Sequence, residues 1–259
     1  MERDYREMQV LSKRVAKEIR ALHARKGRLA SGQMLVESPK AVRSFLEAGW
    51  LPLVLAGTEA GWETLAWNGA VPGAGCYTAD ERGLAEASAL ESPSSFLAVF
   101  PQPQAPEIPA VPSGIHILLD GVRDPGNVGT IMRLADWFGA TAVWLSEDAA
   151  DPYQPKVVQA SMGSLARIPV GRLPLADLLE GWRKQETVPV WATDMAGTPL
   201  AALPKSDPTV LVFGNEGQGI STPVRSLCTG TVTIPRIAPG AESLNVATAA
   251  AIALYEIRR

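Results

Sequence analysis

The chain has 259 residues, of which 46% are hydrophobic and 20% charged, and its formal net charge is −3. This length suits one or two domains, and the low charge with plentiful apolar residues excludes disorder as the dominant state. Two cysteines exclude a disulfide framework and a cysteine-rich zinc site. No signal-peptide core is present, and the longest apolar run, Leu244 to Tyr255, is shorter than the roughly 20 residues of a membrane span. The composition therefore predicts a soluble cytoplasmic α/β protein without a membrane partner.

Positive charge is concentrated at the N-terminus. Residues 1–32 carry a net +5, which leaves −8 for the other 227 residues. Either this stretch contacts a polyanion, or it is a solvated amphipathic helix with its apolar side chains packed inward. The basic residues are Arg3, Arg6, Lys13, Arg14, Lys17, Arg20, Arg25, Lys26 and Arg28, and the apolar ones are Val10, Val15, Ile19 and Leu22.

The first hundred residues predict a small α/β domain. Short apolar runs indicate strands, and Pro39 and Gly49 mark the start and the end of one helix. No cluster of catalytic side chains occurs here, so this part is predicted to bind a ligand or to have a structural role. In chain order, the predicted elements are strand 34–37, helix 39–49, strand 51–57, helix 80–90 and strand 96–100.

Residues 101–113 contain five prolines and predict an extended linker, because proline fixes φ and removes a backbone donor. The linker separates residues 1–100 from residues 114–259, which again alternate strands with helices. The elements predicted after the linker are strands 115–120, 141–146, 188–194, 209–214 and 231–235 and helices 128–138 and 243–259.

Three glycine- and asparagine-rich segments, 118–140, 211–219 and 234–256, are the candidate site, since open α/β sheets bind ligands beyond the carboxyl ends of their strands. The glycine spacing of the second segment does not match a dinucleotide fingerprint, and no P-loop sequence occurs. The two histidines, His23 and His116, lie in the basic helix and in an apolar strand, and we interpret both as structural. The chemistry is therefore expected to use neither histidine nor a metal ion.

Together, the three segments resemble the motifs of the SpoU (TrmH-like) RNA ribose 2′-O-methyltransferases of the SPOUT class. The first is Asn-x-Gly with an arginine in the next helix, the second is Gly-x-Glu-Gly-x-Gly after a strand, and the third is Ile-Pro followed by Ser-Leu-Asn-Val at a helix start. The matching residues are Asn127, Gly129 and Arg133, then Gly214, Glu216, Gly217 and Gly219, and finally Ile234, Pro235, Ser243, Leu244, Asn245 and Val246.

Two further stretches carry the resemblance beyond these motifs. Residues 151–170 resemble the family's Pro-Lys-x-x-x-x-Ser-x-Gly segment, and residues 25–49 resemble its small substrate-binding domain. One departure is Ser38, because that domain usually has glycine after the glutamate. The resemblance thus extends over most of the chain and is weakest over residues 58–95.

The resemblance implies an α/β fold in two parts. Residues 114–259 would form a parallel sheet with a deep trefoil knot that binds S-adenosylmethionine, and residues 1–100 a small α/β domain, similar to a ribosomal-protein fold, that binds RNA. The implied reaction is methyl transfer to a ribose 2′-hydroxyl of structured RNA, with ribosomal RNA favoured over transfer RNA. The resemblance also implies a homodimer formed through the C-terminal domain, and no metal.

By the same resemblance, each motif residue receives a role in the site. The implied catalytic residues are Asn127, Arg133, Glu216, Ser243 and Asn245. The implied cofactor-binding residues are Thr193, Gly214, Asn215, Gly217, Ile234, Pro235 and Leu244.

Each of these residues also has a plain structural interpretation. The glycines and Asn127 can form turns, the apolar residues can belong to the core, and Ser243 or Asn245 can be the N-cap of the last helix. Glu216 can be a solvated loop acid, and Arg133 a solvated helix residue. As a site residue, Arg133 is expected to orient a phosphate and polarise the hydroxyl, because a guanidinium is essentially never deprotonated.

Two other classes of function compete with the enzyme. A non-catalytic RNA-binding protein could keep the fold, but it would not need the complete set of polar motif residues that this chain has. A small-molecule α/β enzyme is disfavoured by the basic N-terminus and by the scarcity of histidine. The sequence therefore favours an RNA 2′-O-methyltransferase.

Overall fold

The structure is a computed structural model that describes residues 8–69, 71–184, 188–204, 206–240 and 242–259. Arg3 and Arg6 of the predicted basic segment lie outside the described residues. The chain divides into two compact units. The first holds the residues up to Gln104 together with Asp151–Ala166, and the second holds Ala105–Ala150 together with Arg167–Arg259. Residues 151–166 thus pack with the first unit, although in sequence they lie inside 114–259.

The first unit is a five-stranded mixed sheet with helices on both faces. The strand order is β1-β4-β3-β5-β2, and β5 runs antiparallel to its neighbours while the other pairs are parallel. Its elements are β1 (Gln9–Val10), α1 (Lys13–Ala21), α2 (Arg25–Ser31), β2 (Gln33–Glu37), α3 (Pro39–Glu47), β3 (Val54–Gly57), α4 (Glu59–Leu65), β4 (Gly75–Thr78), α5 (Glu81–Ala87), β5 (Phe96–Pro101) and, from the later segment, a helix at Pro155–Ala160 that is α7 in chain order.

Strand β5 shows how this sheet buries both of its faces. Successive side chains of a strand point to opposite faces. Leu97 and Val99 pack in the cluster that includes residues of α1 and α5. Phe96 stacks edge-on against Trp62 of α4, and Phe100 lies against Phe45 of α3. The continuous apolar run of β5 is therefore the sequence of a strand that is covered on both sides.

The N-terminal stretch differs from the single amphipathic helix that its apolar residues predict. Val15, Ile19 and Leu22 are buried as expected, but Val10 is 75% exposed and belongs to the short edge strand β1. The chain then forms two helices rather than one, because Ala24 has an extended conformation between α1 and α2. The prediction that Val10 packs inward is therefore wrong, since its strand lies at the edge of the sheet.

Ser38 has a backbone conformation that favours glycine. Its φ of 90° and ψ of 140° fall in a region that glycine adopts without strain and that costs other residues about 1–3 kcal/mol. The Ser38 hydroxyl accepts a hydrogen bond from the Ala41 amide at 3.2 Å and so caps α3. Such a cap contributes about 1 kcal/mol, which offsets part of the strain.

Arg28 is a structural residue, not part of a basic surface. It is 3% exposed, and its Nε and Nη2 donate to Asp151 Oδ2 at 3.1 and 2.6 Å. Its Nη1 donates to the carbonyls of Leu22 and His23. The guanidinium thereby connects the end of α1 to the start of the 151–166 segment, whose helix α7 packs beside β2.

The second unit is a six-stranded sheet in which every pair is parallel. The strand order is β11-β9-β10-β6-β7-β8. Its elements are β6 (Ile115–Asp120), α6 (Pro125–Trp137), β7 (Ala142–Leu145), β8 (Val170–Arg172), α8 (Leu175–Arg183), β9 (Val190–Pro199), β10 (Thr209–Gly214), α9 (Thr222–Arg225), β11 (Gly230–Thr233) and α10 (Val246–Arg258). No described helix is long and apolar enough to cross a membrane.

The two faces of this sheet are covered by different helices. One face packs against α8 and α9 around Trp144 and Trp182. On the other face, α6 and α10 pack against each other. Helix α6 also packs against β7, and α10 packs against β10. Since all six strands are parallel, the loops after β6, β9 and β10 leave the sheet at one edge. The candidate motifs lie in or after these loops.

His116 is buried on the α8 face of the sheet, with a hydrogen-bonding partner at each ring nitrogen. Its Nδ1 accepts from Trp144 Nε1 at 3.0 Å, and its Nε2 is 3.1 Å from the Ser113 carbonyl, to which it donates. Trp182 Nε1 in turn donates to the Pro109 carbonyl in the proline-rich linker. Burial lowers the pKa of His116 below its ordinary value. The structure thus agrees with a structural role for this histidine.

We expect this arrangement to make stability depend on pH. The unfolded chain takes up a proton at His116 as the pH falls through about 6.5, whereas the folded chain resists protonation because burial desolvates the charged imidazolium. The contribution is complete above about pH 6.5 and declines below it, by up to about 1.4 kcal/mol per pH unit. Urea unfolding at a series of pH values measures this decline. The His116→Gln variant can keep both hydrogen bonds without titrating, so parallel curves for the two proteins below pH 6.5 would contradict the assignment.

Candidate active site

A cavity of about 670 Å³ lies in the second unit, at the carboxyl edge of the sheet. Its volume is within the range of small-molecule sites. Two of the implied catalytic residues, Glu216 and Ser243, line it, while Asn127, Arg133 and Asn245 are not in the lining. All of the implied cofactor-binding residues also line it, namely Thr193, Gly214, Asn215, Gly217, Ile234, Pro235 and Leu244.

The glycine-rich turn after β10 forms one wall of the cavity. Asn215 and Gly219 exchange two backbone hydrogen bonds, and the Asn215 side-chain oxygen accepts from the amides of Gly217 and Gln218. A Cβ at Gly214 would overlap the backbone of Gly219, so only glycine fits there. A Cβ at Gly217 would come no closer than 3.5 Å to another atom. The turn therefore requires glycine at position 214 for lack of space, whereas position 217 has room for a Cβ.

A chain of side-chain hydrogen bonds connects the three motifs. Asn245 is the N-cap of α10, and its Oδ1 accepts from the amides of Ala247 and Thr248. Asn245 Nδ2 therefore faces away from the helix, and it donates to Asn127 Oδ1 at 2.9 Å. Asn127 Nδ2 then donates to Glu216 Oε1 at 2.6 Å. Each amide has its orientation fixed by the bond before it, so the chain presents its last donor to the carboxylate.

The structure shows which of the plain structural interpretations hold for the polar motif residues. Asn245, not Ser243, caps the last helix, and it also takes part in the hydrogen-bonded chain. Asn127 is not the turn former of its segment, because Asp124 caps α6 and accepts from the Asn127 amide. Glu216 is exposed but is held by Asn127 rather than only solvated.

Arg133 lies apart from the cavity. It is exposed on α6, six residues after Asn127, on the side of the helix opposite the buried residues of the core. Among the described residues it has no hydrogen-bonding or ion-pair partner. Its guanidinium is thus available to a ligand that reaches the site from outside the cavity.

Some lining residues have no sequence motif that could have indicated them. Arg225 of α9 forms an ion pair with Asp194, and both line the cavity with Met195. The Asp194–Arg225 pair depends on the pairing of β9 with β10 and on α9, which sequence periodicity does not reveal.

Thr193, one of the implied cofactor-binding residues, lies beside this pair. It donates its hydroxyl to the Val212 carbonyl at 2.8 Å, and this bond holds β9 against β10 at the cavity wall.

Neither a thiol nor a metal ion is indicated at the site. Burial raises the pKa of Cys228 to about 11, so this thiol stays protonated near neutral pH and is a poor nucleophile. Among the described residues, no group of three or more His, Cys, Asp or Glu side chains could hold a metal ion.

Comparison with known proteins gives two family matches. The profile of the SpoU rRNA methylase family matches residues 114–255, and that of the MRM3-like substrate-binding domain matches residues 13–98. An uncharacterized tRNA/rRNA methyltransferase of Synechocystis is 34% identical over 95% of this chain and 90% of its own. The 23S rRNA (guanosine(2553)-2′-O)-methyltransferase RlmP of Bacillus subtilis is 32% identical over 93% of this chain and 95% of its own.

Solved structures agree with this assignment over nearly the whole chain. A TrmH-family structure from Porphyromonas gingivalis has a TM-score of 0.87 and 40% identity, covering 96% of this chain and 98% of its own. An AdoMet-bound rRNA methyltransferase from Sinorhizobium meliloti has a TM-score of 0.85 and 31% identity, covering 97% and 96%. These likenesses confirm the α/β fold with its separate N-terminal domain. The chain belongs to the SpoU rRNA methylase family.

Proposed function

We propose that this protein transfers a methyl group from S-adenosylmethionine to a ribose 2′-hydroxyl of ribosomal RNA. The observation that carries the proposal is the chain from Asn245 through Asn127 to Glu216, which joins the three motifs beside the cavity. The named activity of the Bacillus subtilis relative supports the reaction and the ribosomal substrate. The bound AdoMet in the Sinorhizobium structure supports the methyl donor.

The cavity suits S-adenosylmethionine by size and by lining. Its walls combine apolar side chains such as Ile234 and Leu244 with the backbone of the turn after Gly214. Backbone amides and carbonyls at such a turn can hydrogen-bond an adenosine without a dedicated side chain. When bound, S-adenosylmethionine supplies an electrophilic methyl group, and its transfer leaves a neutral thioether while the hydroxyl proton passes to solvent.

The protein's part in this reaction is mainly positioning. Glu216 is the member of the hydrogen-bonded chain that lines the cavity, so the target ribose is expected beside it and Ser243. Asn127 and Asn245 hold Glu216 in place. Arg133 lies outside the cavity and its guanidinium can only donate hydrogen bonds, so we assign it the role of orienting a phosphate and polarising the hydroxyl of an RNA that approaches from that side. A near-attack geometry of this kind lowers the barrier without a histidine or a metal ion.

The first unit supplies a surface for the RNA. Apart from Arg28, the described basic residues of α1 and α2 are exposed, and Glu18 is the acidic residue among them. Such a surface attracts phosphates without reading the base sequence. The match to a substrate-binding domain over residues 13–98 supports this assignment. Transfer RNA remains the alternative substrate.

The proposal includes a homodimer formed by α6 and α10. Trp137 on α6 is 83% exposed, and Ile252 and Tyr255 on α10 are 39% and 58% exposed. The two helices pack against each other, so these apolar side chains lie on neighbouring elements. Exposed apolar patches of this kind mark interfaces. A trefoil knot near the C-terminus and a cytoplasmic location, where ribosomal RNA is found, complete the proposal.

A non-catalytic RNA-binding protein with this fold is the second candidate. It is favoured by one observation, the exposed basic surface of the first unit, which RNA binding alone would explain. The hydrogen-bonded chain at Glu216 argues against it, because binding alone does not require these oriented side chains.

Methyl transfer is tested with labelled S-adenosylmethionine and unmodified ribosomal and transfer RNA, followed by nucleoside analysis. We expect label in a 2′-O-methylnucleoside of ribosomal RNA, and a loss of kcat/KM of about 100-fold or more in Arg133→Ala. Arg183→Ala removes another exposed arginine, at the end of α8, and should keep full activity. RNA binding without label would favour the non-catalytic candidate, and label in a base would refute the ribose assignment.

Two glycine variants test the cofactor site. Gly214→Ala should abolish S-adenosylmethionine binding in calorimetry, because the new Cβ displaces the turn that forms the cavity wall. Gly217→Ala should bind with nearly unchanged affinity, since its Cβ meets only an ordinary contact. Thermal unfolding shows whether each variant is folded. Equal affinities in the two variants would place the cofactor elsewhere.

Sedimentation tests the dimer. Trp137→Glu and Ile252→Glu should shift the protein from dimer to monomer, because each buries a charge in the apolar contact. Leu29 is 68% exposed on α2 of the first unit, so Leu29→Glu is the matched control and should leave the dimer intact. A monomeric parent protein, or a dimer unaffected by both α6 and α10 variants, would refute this interface.

A further inference from the structure

The turn between β6 and α6 carries an arginine that pairs with Asp148, whose carboxylate is itself held by Ser146. The Gly121 amide donates to Ser146 Oγ at 2.8 Å, and Ser146 Oγ donates to Asp148 Oδ1 at 2.7 Å. Asp148 Oδ2 accepts from Arg123 Nη2 at 2.9 Å. The Arg123 side chain is 63% exposed. The guanidinium is therefore held along one edge while the rest of it faces outward.

This arginine lies next to the proposed reaction site. Arg123 lies in the turn that leads into α6, four residues before Asn127 of that helix. The Gly121 carbonyl accepts from Asn215 Nδ2 at 2.8 Å. Gly121 thus bonds the turn of Glu216 on one side and the Ser146–Asp148 loop on the other. Because β6 lies between β10 and β7, the two loops are about two strand spacings apart, roughly 10 Å. A strand of RNA with its ribose at Glu216 would pass over the turn that carries Arg123.

Most of the described cations of the second unit are engaged by the protein itself. Arg167 and Arg225 pair with Asp136 and Asp194, and Arg258 donates to the carbonyls of Phe138 and Gly139. The carboxyl edge near Glu216 meanwhile carries the acidic residues Asp124, Glu147 and Asp148. An RNA backbone at this edge needs a cation to offset this negative charge.

We propose that Arg123, held by Asp148, binds a backbone phosphate of the RNA strand next to the methylated nucleotide. This inference rests on the proposed function and adds a substrate-binding residue to it. A guanidinium paired along one edge can still form a two-point contact with a phosphate along another.

The arrangement suits binding better than stability. An exposed ion pair contributes about 0–1 kcal/mol, so the fold does not depend on it. The Ser146 hydrogen bond and the Arg123 guanidinium lower the pKa of Asp148, so the carboxylate stays ionised near neutral pH and keeps orienting the arginine. Replacing Arg123 should therefore leave a folded enzyme whose RNA affinity has changed.

The test measures steady-state methylation of transcribed 23S rRNA over a series of KCl concentrations. For Arg123→Gln we expect KM for the RNA to rise about tenfold, with kcat within about twofold of the parent. The slope of log KM against log salt should fall by about 0.7 to 1, which is the loss of one phosphate contact. Arg123→Lys should restore the slope. The affinity for S-adenosylmethionine should not change in either variant.

Arg167→Gln is the matched control, because it breaks another exposed arginine–aspartate pair of the same unit near the opposite end of α6. It should leave the slope at the parent value. An unchanged slope in Arg123→Gln, or an equal decrease in Arg167→Gln, overturns the proposed contact while the parent remains active. A parent protein that methylates neither ribosomal nor transfer RNA overturns the proposed function, and this inference with it.

Discussion

The hydrogen bonds from Asn245 through Asn127 to Glu216 depend on one constraint, the parallel pairing of β6 with β10. These two strands pair over their whole length, from Ile115 with Thr209 to Asp120 with Gly214. Their following turns therefore leave the sheet side by side, although about ninety residues separate them in the chain. A shift of register by one residue would turn every side chain of a strand to the other face and separate the two turns. The pairing of the two strands thus places the two turns of the site next to each other.

The cavity wall follows from the same pairing. Because β10 ends at Gly214, the turn folds back on itself and Asn215 bonds Gly219. The Asn215 side chain then reaches across to the carbonyl of Gly121, the first residue after β6. One asparagine therefore closes its own turn and fastens it to the neighbouring one. Rigid walls of this kind favour a site that is formed before its ligand arrives.

The sequence predicts the central strands and the motif loops well, and the reason is physical. Strands such as β5, β6 and β10 are buried on both faces, so their apolar runs are unambiguous. The elements missing from the sequence prediction are strands β1, β4 and β8 and helices α4, α7, α8 and α9. Strand β8 has only three residues, and β4 contains a glycine and partly buried residues, so neither shows a clear pattern.

Charge and tertiary contacts limit the prediction in a different way. Arg28 counts as one basic residue among nine, yet it is buried and bound to Asp151, and no local pattern distinguishes it from Arg25 or Lys26. The motifs indicate which residues gather at the site, but not that Asn127 bonds both Glu216 and Asn245. That geometry depends on helix ends and loop directions, which are set by packing far along the chain.

The placement of residues 151–166 has a consequence for truncating such a protein and for exchanging its domains. Because this segment packs with the first unit, the chain crosses between the units three times rather than once. A fragment that starts at residue 114 would keep Val157, Val158 and Leu165 but lose the core in which they are buried. It would also leave Asp151 without Arg28. Exchange of the substrate-binding domain at the proline-rich linker would therefore leave residues 151–166 without the part of the core against which they pack.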